Sequence, residues 1–555
     1  MLIKEKIKNL IVEAFSKAIN DKKISEVNLN KIQIEVPKDT KNGDFSTPFA
    51  LEAAKILRKP PQTIAEIVKD YIEIDGLIGK VVIAKPGYIN LFLAVNFLSD
   101  NLKNILEQNE SYGHSSSQNQ QKINIEFVSA NPTGPLNVVS ARAAALGDTI
   151  ANLLEAIGHQ VDREFYVNDH GNQVTLLGKS VWARIKELRG EKIIFPEDGY
   201  QGDYIIDIAK HLEKTYLHEI NQIKDQDELV NYLSQKAIQY NLAKQKKDLE
   251  NFKVSFANWF RETSLHNDGK VLEALSFLEK KGVVYTKDDK KLFQSTNYGD
   301  DKDRVLLRDD GRPTYLLADI AYHQNKVERG YDQIIDIWGP DHHGYIKRLQ
   351  GAMETLGCAS DKFKILIAQQ VNLVKKGEIV KMSKRLGKFS TMQDLLEEIG
   401  PDVARYFFIM RSLESHLDFD LDLAKKESSE NPVFYLQYAH ARICSIFREA
   451  TKNKIAYQTD KIDSNSLNKE EALILMKLLL LFPEEVQDAA QTMEPHRIAS
   501  YLLKLAQAFH KFYSEHRILS SDHTKTNSFL NLTAATKIVL RNGLTLLGIS
   551  SPEKM

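Results

Sequence analysis

Residues 123–167 read INIEFVSANPTGPLNVVSARAAALGDTIANLLEAIGHQVDREFYV, and this stretch decides the fold. INIEFVS, 123–129, is a short β-rich run, and NPTGP breaks it. VVSARAAALGDTIANLLEAIGH then reads as one helix, with Gly158 near its end as a C-terminal stop. VDREFYVND is the next strand. Strand, Gly/Pro turn, helix, strand is the opening of a parallel α/β sheet.

Working outward, the sheet is expected to resume with RVLLRDD, QIIDIWG and FKILIAQQVNLV. The helical, charged segment at about 175–300 is expected to be an insertion, so the α/β unit spans 122–425. Residues 1–112 read as a small α+β domain. It opens on an amphipathic helix with Leu2, Ile3, Ile7, Leu10, Ile11 and Phe15 on one stripe. Strands are expected in IQIEVPKD and KVVIAKPGYINLFLA, with a helix around FSTPFALEAAKILRK, and SYGHSSSQNQQ (111–121) is a polar linker. From 426 to 555 repeated apolar stripes predict an all-helical bundle.

Length alone, 555 residues, calls for about three or four domains. The formal net charge of -1, from 74 basic and 75 acidic residues, excludes a global pull toward nucleic acid, so any such contact rests on local patches. Cys358 and Cys444 sit in no metal spacing, so no protein-bound zinc is expected, and so few cysteines suit a reducing compartment. Charges interrupt the N-terminal helix where a signal peptide needs an unbroken apolar core, and no apolar run of about 18 residues occurs. The expectation is a cytoplasmic protein without a membrane partner.

Four constellations carry chemistry. At the first strand–helix turn, Gly134 allows close backbone approach and Pro132 and Pro135 stiffen the loop. Asn137 and Ser140, near the helix start, are placed either to donate to phosphate oxygens or to cap the helix. Neither GxxxxGK[ST] nor GxGxxG is present. KKGEIVKMSKRLGK, 375–388, crowds Lys375, Lys376, Lys381, Lys384, Arg385 and Lys388 onto a glycine-containing loop, suited to charge developing on pyrophosphate. WGPDHHGY, 338–345, sets Asp341, His342 and His343 between Gly339 and Gly344; with no third ligand in spacing, ribose or amino-acid contact outranks a metal. In TYLLADIAYH, Tyr315 and Asp319 share a helical face, where a phenol and a carboxylate can hold a cation.

Together these residues resemble the class I aminoacyl-tRNA synthetases, whose two signatures are written HIGH and KMSKS. KMSKR, 381–385, matches the second. The arginyl-tRNA synthetase family is pointed to by EFVSANPTGPL, FYVNDHGNQV, WFRETSLHNDGKV, GDDKDRVLLRDDGRPTYLLADIAYH, GPDHHGY, KMSKRLGKFSTMQDLLEEIGPDVARYFFIMRS and NPVFYLQYAHARICSI, in order from about 124 to 445. The resemblance implies a Rossmann-like catalytic domain between a tRNA-contacting N-terminal domain and an anticodon-binding bundle. It implies ATP-dependent attachment of L-arginine to tRNA(Arg) through an arginyl-adenylate, with Mg²⁺ accompanying ATP, by a monomer. Residue by residue it implies arginine contacts from Glu126, Asn131, Tyr315, Asp319 and His342. It implies ATP contacts from Pro132, Gly134, Asn137, Ser140, Gly339, Asp341, Lys381, Met382, Ser383 and Lys384. Of these, Lys381, Lys384, Asn137 and Ser140 are the catalytic candidates, and Tyr435, Tyr438 and Arg442 are the tRNA candidates.

The chain departs from the family at NVVS, 137–140, where HIGH is expected. Both histidines are absent and the glycine is Val139. Asn and Ser donate neutral hydrogen bonds, roughly half as strong as charged ones. Phosphate binding requires donors, not histidine as such, so a working enzyme with a polar substitute signature is expected. The alternative is a catalytically impaired paralogue that binds tRNA without charging it.

Overall fold

A computed structural model of the chain describes residues 2–74, 76–116, 119–380 and 391–555. Five strands build its central sheet: β1 (Lys122–Glu126), β2 (Gln160–Val167), β3 (Asn258–Arg261), β4 (Gln333–Trp338) and β5 (Phe363–Ile367). Their spatial order is β5–β4–β1–β2–β3, and every neighbouring pair is parallel. The strand order reverses between β1 and β4. Crossovers leave that point on opposite faces, opening a crevice beyond the carboxyl ends where ligands bind in such sheets.

Helix α1 (Val138–Ala156) is the first crossover. It lies close to the sheet because residue 147 is glycine: a Cβ there would stand 2.3 Å from the Phe127 ring. Ile123 and Ile125 of β1 are fully buried, as are Ala141, Ala144 and Ala145 of α1. The β1 residues between those isoleucines face the other way. Register sets Asp336 beside Glu126, Glu126 beside Glu164, and Glu164 beside Asn258. Residues opposite one another share a face, so three carboxylates stand abreast.

Four expectations need correction. The stretch 175–300 is not one insertion. Helices Asn172–Leu188, Asp203–Gln222 and Gln226–Asn251 form a unit with its own core, and the chain then re-enters the sheet at β3. NWFR is four residues with no alternation to read; Trp259 stacking on Phe165 (4.3 Å, 20°) seats it. RVLLRDD does not resume the parallel sheet. Arg304–Leu307 pairs antiparallel with Lys290–Phe293, itself antiparallel to Val284–Lys287. The hairpin turn at Asp288 and Asp289, both at positive φ (50° and 54°), closes that ribbon locally. FKILIAQQVNLV divides between β5 and Val371–Lys375, which pairs with Glu378–Ile379 and Leu417–Asp420 in another sheet.

The N-terminal sheet consists of Phe45–Thr47, Tyr88–Leu93 and Ile78–Ala84, in that order. IQIEVPKD contributes one isolated bridge, Glu35 to Ser46, instead of a strand. Helix Ile3–Asn20 buries Ile3, Ile7, Ile11 and Phe15, the stripe visible in its sequence. At the other end, helices Pro432–Lys452, Glu470–Thr492, His496–Glu515 and His523–Leu546 form the bundle.

Arg405 joins these parts. It is fully buried, donates to Asp148 Oδ2 on α1 (2.7 Å), to the Leu547 carbonyl (2.8 Å) and to the Phe252 carbonyl (3.1 Å). One guanidinium therefore holds the first crossover helix, the end of the helical insertion and the end of the bundle. Removing one partner of a buried pair costs about 3–5 kcal/mol because the other charge is left unpaired. Arg405→Ala is expected to lower the urea midpoint accordingly; an unchanged midpoint would show that the clamp contributes nothing.

Candidate active site at the carboxyl ends of the sheet

Helix α2 (Tyr315–Glu328) crosses the row of carboxylates. Its Lys326 is fully buried and donates to Glu126 Oε2 (2.6 Å) and Asp336 Oδ1 (2.8 Å). Arg329, just past the helix, grips both oxygens of Glu164 (2.5 and 2.7 Å), and Tyr322 Oη donates to Glu164 Oε1 (2.6 Å). Burial opposes the charge on Lys326, Glu164 and Asp336, but their partners outweigh it. Lys326 is raised by Asp336 and Glu126, Glu164 is lowered by Arg329 and Lys326, and Asp336 is lowered by Lys326 and His323.

The chain leaves β1 through a strained turn. Val128 and Ser129 have φ of 71° and 37°, a region L residues avoid at a cost of about 1–3 kcal/mol each. The turn aims Ser129 Oγ back at Glu126 Oε1 (2.8 Å), while the same oxygen accepts the Tyr166 N–H (3.1 Å). Glu126 is thus held on both oxygens at the mouth of the crevice.

A cavity of about 220 Å³ opens beside α2, lined by His170, Glu262, His266, Arg312 and Tyr315. Tyr315 is exposed at its rim. Asp319, one turn further along, accepts a hydrogen bond from Tyr345 Oη at 2.5 Å. Its carboxyl is pushed up to about 6, first by burial and then by the charges of Glu262 and Glu126, against the pull of Tyr345 and His323. Burial raises Glu262 as well, and lowers His170 and His266 toward their neutral forms. Asp169, buried, accepts from the Thr263 N–H (2.9 Å) and holds the start of the Glu262 helix.

His170, Glu262 and His266 bring possible metal-ligand atoms within 4.8 Å of one another. The two rings, however, stack at 3.8 Å and 17°. A metal ion lies near the plane of each imidazole that binds it, and stacked planes do not meet at ligand distance. The cluster reads as a polar wall of the pocket.

At the strand–helix turn, Asn137 is the N-cap of α1. Its Oδ1 accepts from Ser140 N (2.8 Å) and Ser140 Oγ (3.1 Å). The capping role weighed from sequence is realised, and Ser140 spends its hydroxyl proton on Asn137. The insertion helix pins the turn from behind: Gln245 Nε2 donates to the Gly134 carbonyl (2.8 Å) and Asn241 Nδ2 to the Pro132 carbonyl (2.9 Å). Asn131 is turned aside, donating to Gln173 Oε1 (2.8 Å). Across the crevice, Gly339, Asp341 and His342 occupy the turn after β4, with Asp341 and His342 exposed and the His342 ring 5.9 Å from Trp338. Lys381, Met382, Ser383 and Lys384 lie outside the described residues. Among the described residues that follow, the Met392 N–H binds the Leu136 carbonyl (2.8 Å) beside the N-cap.

On the bundle, Tyr435, Tyr438 and Arg442 are half-buried on one helix. Arg442 donates to Tyr438 Oη (2.5 Å) and stands over the Tyr438 and Tyr513 rings (5.3 and 5.2 Å). His510 packs between Tyr435 and Tyr438. Cation and aromatic faces are combined there as single-stranded nucleic acid requires.

Comparison with known proteins matches three segments in order. Residues 5–93 match the family described as arginyl tRNA synthetase N terminal domain, 101–406 that of tRNA synthetases class I (R), catalytic domain, and 436–555 the DALR anticodon binding domain. The chain belongs to the arginyl-tRNA synthetase family. The synthetase is 48% identical to the arginine--tRNA ligase of Leptospira interrogans, over 99% of both chains. It is 44% identical to that of Geobacillus kaustophilus, over 100% of this chain and 99% of the relative. The Thermus thermophilus arginyl-tRNA synthetase structure shares the fold over the whole of both chains, at 21% identity and a TM-score of 0.77.

Sequence reasoning picked out Glu126, Tyr315 and Asp319, and all three stand around the crevice. It passed over Glu262, Ser129, Tyr345 and the buried cations. Glu262 lay within WFRETSLHNDGKV, but a lone Glu in a polar helix carries no visible mark.

The raised Asp319 carboxyl sets a pH dependence. A guanidinium binds the ionised form, so binding expels a proton when the carboxyl is protonated. Arginine affinity is expected to rise with pH up to about 6 and flatten above, falling roughly tenfold per unit on the acid side, with Glu262, His170 and His266 adding to that limb. Calorimetric titration of arginine between pH 5 and 8 measures this. A flat profile would remove Asp319 from the binding step.

Proposed function

We propose that the crevice holds arginine extended between Glu126 and the Asp319–Glu262 pair, and that the signature NVVS belongs to a working site. The chain attaches arginine to tRNA, using ATP as class I synthetases do. The observation that carries the finer reading is the separation of acid. One carboxylate stands at the strain-held turn after β1; of the other two, Glu262 lines the cavity beside α2 and its charge acts on Asp319, on α2 itself. Arginine carries a cation at each end, and its planar guanidinium presents a fork of donors to paired carboxylate oxygens.

In this reading Glu126 takes the α-ammonium, with Asn131 near it. Asp319 and Glu262 take the guanidinium, with Tyr315 as the rim and His342 across the crevice. ATP lies over Pro132, Gly134 and the start of α1, and reaches the Gly339–Asp341 turn. The free N–H groups of the helix start bind phosphate, as they do elsewhere. Asn137 fixes that start, and its amide N–H₂ remains a donor at the first histidine position of the family signature. Lys381 and Lys384 supply positive charge, flanking Met382 and Ser383, and Mg²⁺ accompanies ATP. The carboxylate of arginine attacks the α-phosphate and pyrophosphate leaves; a hydroxyl of the terminal adenosine of tRNA(Arg) then takes the arginyl group and AMP leaves. No covalent enzyme intermediate is needed, so orientation and charge placement supply the catalysis.

Residues 1–112 are assigned to contact with the body of the tRNA, 122–425 to catalysis, and 426–555 to the anticodon, with Tyr435, Tyr438 and Arg442 at that surface. No helix among the described residues is long and apolar enough to cross a membrane. A cytoplasmic monomer fits these assignments.

The decisive experiment charges tRNA(Arg) with labelled arginine, using lysine and citrulline as controls. Robust charging specific to arginine is expected; tight tRNA binding without charging would mean that NVVS is a disabled signature. Asp319→Asn is expected to lower kcat/KM for arginine by about thirtyfold or more, since removing one partner of a desolvated charge pair costs about 2–5 kcal/mol. An unchanged kcat/KM would place the guanidinium elsewhere.

A further inference from the structure

Arginine differs from its one-methylene homologues only in the distance between its two cationic ends. A crevice that tells them apart must hold its two acid sites at a fixed separation. Here those sites belong to different elements. Glu126 ends strand β1, and Asp319 rides on helix α2, so the separation is only as firm as the contact between strand and helix.

A buried chain of side chains makes that contact. Lys326 binds Glu126 and Asp336. Asp336 uses its other oxygen for His323 Nε2 (2.8 Å), and His323 Nδ1 reaches the backbone carbonyl of Asp319 (2.7 Å). Lys326 and Asp336 are fully buried and His323 is 4% exposed, so water cannot replace a missing partner. The rings of Tyr322 and Phe363 pack against His323 edge-on, each at 72°. With at most 4% of their surface exposed, Lys326, Asp336 and His323 act on a bound substrate through the groups they hold, Glu126 and Asp319.

His323 Nε2 faces a carboxylate oxygen on β4 and its Nδ1 a carbonyl oxygen on α2, both acceptors. One side chain thus spans from the strand to the turn of helix that carries Asp319.

We infer that His323 forms with Lys326 and Asp336 a positioning element that sets the length of side chain the crevice accepts. The inference rests on reading Glu126 and Asp319 as the two ends of the arginine site. A residue that merely supported the fold would affect all substrates alike. A gauge affects their ratio.

The test measures tRNA charging by the full chain with arginine and L-homoarginine. One methylene in a fitted site is worth roughly 10–200-fold in kcat/KM. His323→Gln has its donors on a single nitrogen and cannot span both acceptors. The arginine-to-homoarginine ratio is expected to fall at least about fivefold, chiefly through KM. A parallel loss with both substrates, leaving the ratio unchanged, would overturn the gauge. Should the variant fail to fold, His323→Asn is measured in its place: its shorter amide cannot span both acceptors either, and an unchanged arginine-to-homoarginine ratio overturns the gauge. Arginine binding by Asp319→Asn is read separately, so failure of the gauge is distinguishable from failure of the site reading.

Discussion

Asp336, Glu126 and Glu164 stand abreast on three adjacent parallel strands. Strands lie about 4.8 Å apart, and two like charges at that distance repel by about 3 kcal/mol even at an effective dielectric of 20. Such a row is tolerable only beneath a set of cations, and α2 carries them. Lys326 is shared between Asp336 and Glu126, Arg329 closes on Glu164, and Tyr322 adds a hydroxyl. The helix is thereby fixed in rotation as well as position. Tyr315, on the same helix, is brought to the cavity rim as a consequence, and Asp319 lies one turn further along.

The same row bears on the two acid ends proposed for the crevice. Glu126 is the last residue of its strand, at the topological switch point, and the turn after it is strained into aiming Ser129 at its carboxylate. Strain of this kind persists only where surrounding contacts over-determine it. Here the insertion helix supplies part of that determination, with Gln245 and Asn241 holding the carbonyls of the following loop. The helical unit between β2 and β3 thus serves the nucleotide side of the crevice from behind. Tyr345 connects the two sides, since it belongs to the turn after β4 and bonds the Asp319 carboxylate.

Much of this was legible in the chain. The strand–turn–helix–strand run at 123–167 has hydrophobic patterning, a breaker and a helix stop of ordinary kind, and it folds as read. Asp319 and Tyr315 at i,i+4 spacing were readable because a helix places them on one face whatever surrounds it. The misreadings have a common cause. RVLLRDD and NWFR are both four-residue strands, and a short strand has no periodicity to say which sheet it joins. A neighbouring hairpin takes the first, and an aromatic stack on Phe165 seats the second. Asn137 and Ser140 were ambiguous for a similar reason: capping and phosphate binding call on the same residue types at the same helix start.

What the sequence by itself determined is the class of architecture and the family. Both depend on local patterns and ordered motifs, and such signals survive without knowledge of what lies opposite. Tertiary structure alone decided which charges meet. Lys326 is 200 positions from Glu126 in the chain and 2.6 Å from it in space, and His323 finds its two acceptors on a strand and on its own helix. Register of parallel strands carries no sequence mark, because each partner is supplied by a crossover of arbitrary length. The ionisation of a buried group depends on those partners, so the chemistry of the site became readable only once the sheet was assembled.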